Sequence, residues 1–189
     1  MKYNTILIIS LLLVLFITFF IVSQSSSVKY AYNLDSKSIL LYNLDEELVS
    51  LDSYRGKYSI LAFTFMSCPS ICPMTNTELN RLDEKYGDKI NILTINVDPK
   101  NDTAEKLKQY MDDNNYNWDV IVGDIREVEK IIGNILFYPE PEKYTEMPGL
   151  HPPGLHLMNE NFRYTDKNFF PIAKDVDELI IELDKLLGN

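Results

Sequence analysis

The sequence predicts an α/β fold, a central mixed sheet with helices on both faces, preceded by an N-terminal membrane helix. Three observations carry this. Apolar runs of strand length alternate with stretches of helical periodicity; one strand runs straight into a cysteine pair before a proline-marked helix start; and a hairpin and a last amphipathic helix close the chain.

The first segment stands apart. Ile6 to Val22 is an uncharged run of seventeen residues, which as a helix spans roughly 26 Å, close to the hydrocarbon core of a bilayer. Lys2 precedes it and the next cation is Lys29, so the rest of the chain is expected outside the cytoplasm. A cleaved signal peptide is the competing reading. A retained anchor fits better, because the apolar core is long and no A-x-A site follows. Residues 1–27 are therefore read as anchor and polar tether, and 28–189 as one extracytoplasmic domain.

Of the 18 Lys and Arg in the chain, all but Lys2 lie in that domain, against 28 Asp and Glu, a net charge of −11. This argues against nucleic acid as a partner, since phosphates need clustered Lys and Arg.

Ser38 to Tyr42 and Glu47 to Val49 flank a turn at Asn43–Glu46 and read as a short hairpin. Arg55-Gly56-Lys57 is a turn. Tyr58 to Phe65 is a nearly continuous apolar run, as in a strand buried on both faces. Pro73 belongs in a first helical turn, so a helix starts near Cys72 or Pro73; Leu79 and Leu82 share a face and the helix ends near Gly87. Ile90 to Val97 is the next strand. After Asp98-Pro99 a helix opens at Asp102-Thr103, with Asp102 read as its cap, and runs through Leu107 and Met111. Asp119 to Val122 reads as a strand and Ile125 to Ile132 as a helix ending at Gly133. Leu136 to Pro153, with five prolines, is expected to be an ordered loop. Leu155 to Met158 and Phe162 to Tyr164 pair around Asn159–Asn161. Val176 to Leu187 is an amphipathic helix, apolar at Leu179, Ile180, Leu183 and Leu187.

A strand that delivers a cysteine pair to a helix start is the thioredoxin-like layout, with Cys68 and Cys72 separated by three residues rather than two. A disulfide closing so small a loop constrains the unfolded chain little, so a stapling role explains the pair poorly. Near a helix N-terminus a thiol ionises more readily than a free cysteine. Two thiolates in one turn can form a disulfide or hold a soft metal such as copper(I) or zinc. The two histidines, His151 and His156, lie in one short stretch, the first in a proline-stiffened loop and the second on the following strand. On residue chemistry alone, a redox pair and a metal site both remain open. A zinc hydrolase is weaker, for lack of a well-placed Glu base.

The sequence resembles the Sco/SenC copper-chaperone family through nearly all of the soluble part. Ser67-Cys68-Pro69-Ser70-Ile71-Cys72-Pro73 looks like its C-P-x-x-C-P signature, Val97 to Thr103 resembles its V-D-P-x-x-D-T stretch, and His151 falls where the family places a distal histidine. The resemblance implies copper(I) held by Cys68, Cys72 and His151, with Asp98 as a neighbouring acid in the second shell or simply a turn residue. It implies assembly of the copper site of a haem–copper terminal oxidase, so a partner subunit carrying that site. Its alternative is thiol–disulfide exchange on the partner's cysteines, with Cys68 and Cys72 as the redox pair. His156, at a position where an aromatic residue is common, is a second candidate ligand but is expected to pack. Met66, Met74 and Met147 could add soft contacts, but each is read first as a packing residue.

Overall fold

A computed structural model describes residues 39–136 and 151–188. The expected membrane helix at 6–22 and most of the proline-rich loop lie outside the described residues. Among those described, no helix is long and apolar enough to cross a membrane.

Seven strands form one mixed sheet in the order β2-β1-β5-β4-β3-β6-β7. The strands are β1 (Leu41–Tyr42), β2 (Leu48–Val49), β3 (Ser59–Thr64), β4 (Asn91–Asn96), β5 (Asp119–Gly123), β6 (Leu155–Met158) and β7 (Tyr164–Phe169). Strands β3, β4 and β5 are parallel at the centre, and β1, β2, β6 and β7 join antiparallel at the flanks. The helices are α1 (Ile71–Tyr86), α2 (Ala104–Asn114), α3 (Ile125–Lys130) and α4 (Ala173–Leu187); a single π-helical stretch, Ile131–Ile135, continues α3.

The two faces of β3 explain its continuous apolar run. Ile60 and Ala62 pack beneath α1, α2 and α4, with Leu79, Leu107 and Leu179. Leu61 and Phe63 point the other way, into a core with Val128, Ile131 and Tyr54. Helices therefore cover both faces, as expected. Tyr86 at the end of α1 donates to the Ile180 carbonyl of α4 at 3.0 Å and so fastens the two helices together.

Two local expectations are corrected. The second strand of the last hairpin is β7, Tyr164–Phe169, and not Phe162 to Tyr164. Phe162 lies in the turn with φ 53°, and its ring packs on Tyr54. An edge strand has one solvated face and needs no apolar repeat; Thr165-Asp166-Lys167-Asn168 supplies none. Asp102 is not the cap of α2. Thr103 takes that place, accepting from the Lys106 N–H, which leaves the Asp102 carboxylate free to turn inward.

Candidate functional site

The parallel centre of the sheet delivers the cysteines. Strand β3 ends at Thr64, and the chain passes Phe65, Met66 and Ser67 before Cys68. Helix α1 then begins at Ile71, one or two residues before the expected start, with Pro73 inside its first turn. Ser70 precedes it but makes no side-chain cap bond. The sulfur does this instead: Cys68 Sγ accepts from the Cys72 N–H at 3.3 Å. A helix start leaves its first N–H groups unsatisfied, and a thiolate is a suitable acceptor for them.

Both cysteines are free and buried. Burial pushes the Cys68 thiol up, but hydrogen bonds from the Cys72 thiol and from the N–H groups of Ser70, Cys72 and Ile71 outweigh it, holding Cys68 below the ordinary thiol range. Cys72 is pushed up to about 12, first by burial and then by donating to Cys68, with the negative charges of Cys68 and Asp102 adding to the shift. The pair is thus asymmetric, with Cys68 the more acidic thiol and Cys72 the one that keeps its proton.

Both cysteines line a small cavity of about 40 Å³ between α1, α2 and the sheet. Tyr110, Met111 and Trp118 form its far wall, and Tyr116 stacks on Trp118 behind it. Asn76 of α1 donates to the Tyr110 hydroxyl of α2 at 2.9 Å and ties the two walls together.

The turn after β4 braces the cysteine loop. Asp102 is buried, and its Oδ2 accepts from the Met66 N–H at 2.8 Å and from Asn96 Nδ2 at 2.7 Å. Asp98, also buried, accepts from Asn101 Nδ2 on both carboxylate oxygens at 2.9 Å, and its N–H donates to Asn96 Oδ1. Asp98 therefore shapes the turn, while Asp102 reaches the cysteine loop. The sequence reading missed Asp102 as a site residue; the only available signal was the adjacent Thr103, an equally good cap.

The histidines approach from the other face. His151 is buried with its ring 5.8 Å from Phe65 and 6.5 Å from Phe63, and its Nδ1 lies 3.2 Å from the Pro152 carbonyl oxygen. Burial lowers its pKa against the opposing effect of that carbonyl. His156 on β6 is fully buried, edge-on to Phe63 at 5.9 Å and to Tyr164 at 5.6 Å. Burial pushes its pKa down to about 4, with the Pro152 carbonyl opposing and His151 reinforcing the fall.

The structure brings Cys68 and Cys72 together and sets His151 beside Phe65, three residues before Cys68 in the chain. Among the described residues, no three His, Cys, Asp or Glu side chains are assembled closely enough to hold a metal ion. Met66 and Met74 are 39% and 40% exposed, so core packing does not account for them; Met147 lies outside the described residues.

The SCO1/SenC family model matches residues 35–188. A SCO2-like protein of Rickettsia prowazekii is 29% identical over 147 residues, spanning 74% of this chain and 72% of its own. The structure of yeast Sco1 with copper bound is 24% identical, with a TM-score of 0.55 over 77% of this chain and 90% of that one. The structure of BsSco is 25% identical, with a TM-score of 0.61 over 78% of this chain and 90% of that one. That work describes a disulfide switch in a member of the Sco family of cytochrome c oxidase assembly proteins.

Proposed function

This chain belongs to the SCO1/SenC family, and we propose that it carries copper(I) on Cys68 and Cys72 for the copper site of a haem–copper terminal oxidase. The observation that carries this reading is the sulfur pair. Both thiols are free, both line one small cavity, and one is held towards thiolate by the start of α1. Thiolates are soft donors, and copper(I) is the soft ion they select. The copper held by yeast Sco1 and the oxidase assembly attributed to the family of BsSco support the same reading.

His151 is the third ligand in this proposal. A carbonyl oxygen only accepts, so the Pro152 contact puts the proton of the neutral ring on Nδ1 and leaves the lone pair on Nε2. Phe65 links the two sides, since it lines the cysteine cavity and its ring lies 5.8 Å from that of His151. Asp98 acts at one remove, by shaping the turn from which Asp102 braces that loop. The domain works outside the cytoplasm, anchored by residues 6–22.

Copper(I) titration of the full chain against a competing chelator tests this. The reduced protein should bind one copper(I) and the oxidised protein none. Cys68→Ser and Cys72→Ser should each abolish tight binding; retention after either change overturns the assignment.

The acidity difference between the cysteines favours a second ability, thiol–disulfide exchange. The Cys68 thiolate attacks a partner disulfide and forms a mixed disulfide, releasing one partner thiolate. Cys72 gives up its proton and attacks Cys68 Sγ, freeing the second partner thiol and leaving a Cys68–Cys72 disulfide; two electrons pass to the partner. This route needs no histidine, so His151→Ala should keep reductase activity while retaining copper more weakly.

A further inference from the structure

Two methionines line the cavity that holds the cysteine sulfurs, the buried Met111 on its far wall and Met66 beside the cysteines in the chain. Met66 lines it together with Cys68 and Cys72, yet Met66 is 39% exposed. Met66 is therefore the lining methionine that solvent also reaches. Its backbone is fixed, because the Met66 N–H donates to the buried Asp102 carboxylate, which Asn96 holds in turn. A flexible, exposed apolar side chain on so firmly held a backbone is not explained by packing. His151, by contrast, rests against Phe63 and Phe65 on the other side of β3.

From this arrangement we infer that the Met66 thioether is the third donor to copper(I) as the ion enters and leaves, forming an all-sulfur site with Cys68 and Cys72 before His151 engages. The inference rests on the copper reading above. A thioether is a soft, neutral donor suited to copper(I). The balance is simple: two thiols release two protons as the ion binds, and the thioether adds a bond without a proton. Met66 therefore changes affinity and loading rate but not the number of protons released.

Met66→Leu keeps the bulk and removes the sulfur. Met74→Leu is the matched control, since Met74 is equally exposed but does not line the cavity. The full-length reduced chain is loaded with copper(I) against a chromogenic chelator, in native and His151→Ala backgrounds, and its sulfur ligands are counted by X-ray absorption. In His151→Ala the ion should have three sulfur neighbours. Adding Met66→Leu should leave two and weaken retention roughly tenfold, the scale of losing one supporting partner of a metal. In the native background Met66→Leu should slow loading with proton release and thermal midpoint unchanged, and Met74→Leu should do neither. If the native chain binds copper(I) and Met66→Leu matches it in loading rate and sulfur count, the inference falls while the copper reading stands. If the native chain binds no copper(I), the copper reading falls and takes the inference with it.

Discussion

The cysteine loop and the histidine segment reach the same end of β3, but they are built on different physics. Cys68 sits among polar donors: helix-start N–H groups point at its sulfur, and the neighbouring Met66 N–H is fixed by a carboxylate. His151 and His156 sit among aromatic rings, and burial drives both towards the neutral form. One side stabilises an anion before any ligand arrives. The other keeps a base uncharged. The comparison teaches that an acidic thiol and a neutral imidazole can be prepared separately, by different surroundings near one end of a single strand.

The histidine side is the easier to break. Gly154 adopts φ +105°, and a Cβ there would lie 2.8 Å from the Phe169 carbonyl oxygen and closer still to the Asn168 side chain. Gly154→Ala should cost about 3 kcal/mol, combining backbone strain with a contact that backbone cannot relieve. Chemical denaturation should show a lower midpoint; an unchanged midpoint would mean that this turn does not fix the segment.

The two rings of that segment should separate in their effects. His151→Ala should lower copper retention about 10- to 100-fold with little change in stability. His156→Ala should hold copper but destabilise the fold by about 2 kcal/mol, because it empties the space between Phe63 and Tyr164. The reverse ranking under a competing chelator would reassign the ligand.

On the cysteine side, Asp102→Asn removes a charge that helps to keep Cys72 protonated. The variant should lose roughly 1 kcal/mol of stability through weaker acceptance from Met66 and Asn96. Its Cys72 should also ionise at lower pH, which thiol absorbance would follow. No movement of that titration would show that Asp102 acts on the backbone alone.

The last effect is a slope that appears only at alkaline pH. Cys72 has a folded pKa of about 12 against an ordinary 9.0. The unfolded chain therefore loses this proton first, and stability attributable to Cys72 declines as pH rises through that window. Cys68 has the opposite sign: its folded pKa is depressed, so its contribution is present above the ordinary value and disappears as pH falls through the folded one. Cys72→Ser should flatten the alkaline decline. Alkylation near about pH 8 should label Cys68 well before Cys72, and equal labelling would contradict the asymmetry.

The cysteine side was legible because its signals are local. A doubly buried strand reads as an unbroken apolar run, and Pro73 marks a helix start with no knowledge of the rest of the fold. Asp102 was not legible, since Asp and Thr are both good caps and only tertiary packing decides which one turns inward. Strand β7 was hidden by its exposure, because a solvated edge does not repeat apolar residues. The face on which His151 lands depends on the pairing Leu61↔His156 between β3 and β6, a long-range register that no short window contains.

The acidity of Cys68 owes much to main-chain groups, those of Ser70, Ile71 and Cys72. Main-chain donors survive most amino-acid replacements. The side chain of Ser70, which points into solvent, can therefore change over evolutionary time without retuning the sulfur it helps to activate. Such a loop keeps the tuning of its sulfur in the backbone and leaves its exposed side chains free to vary.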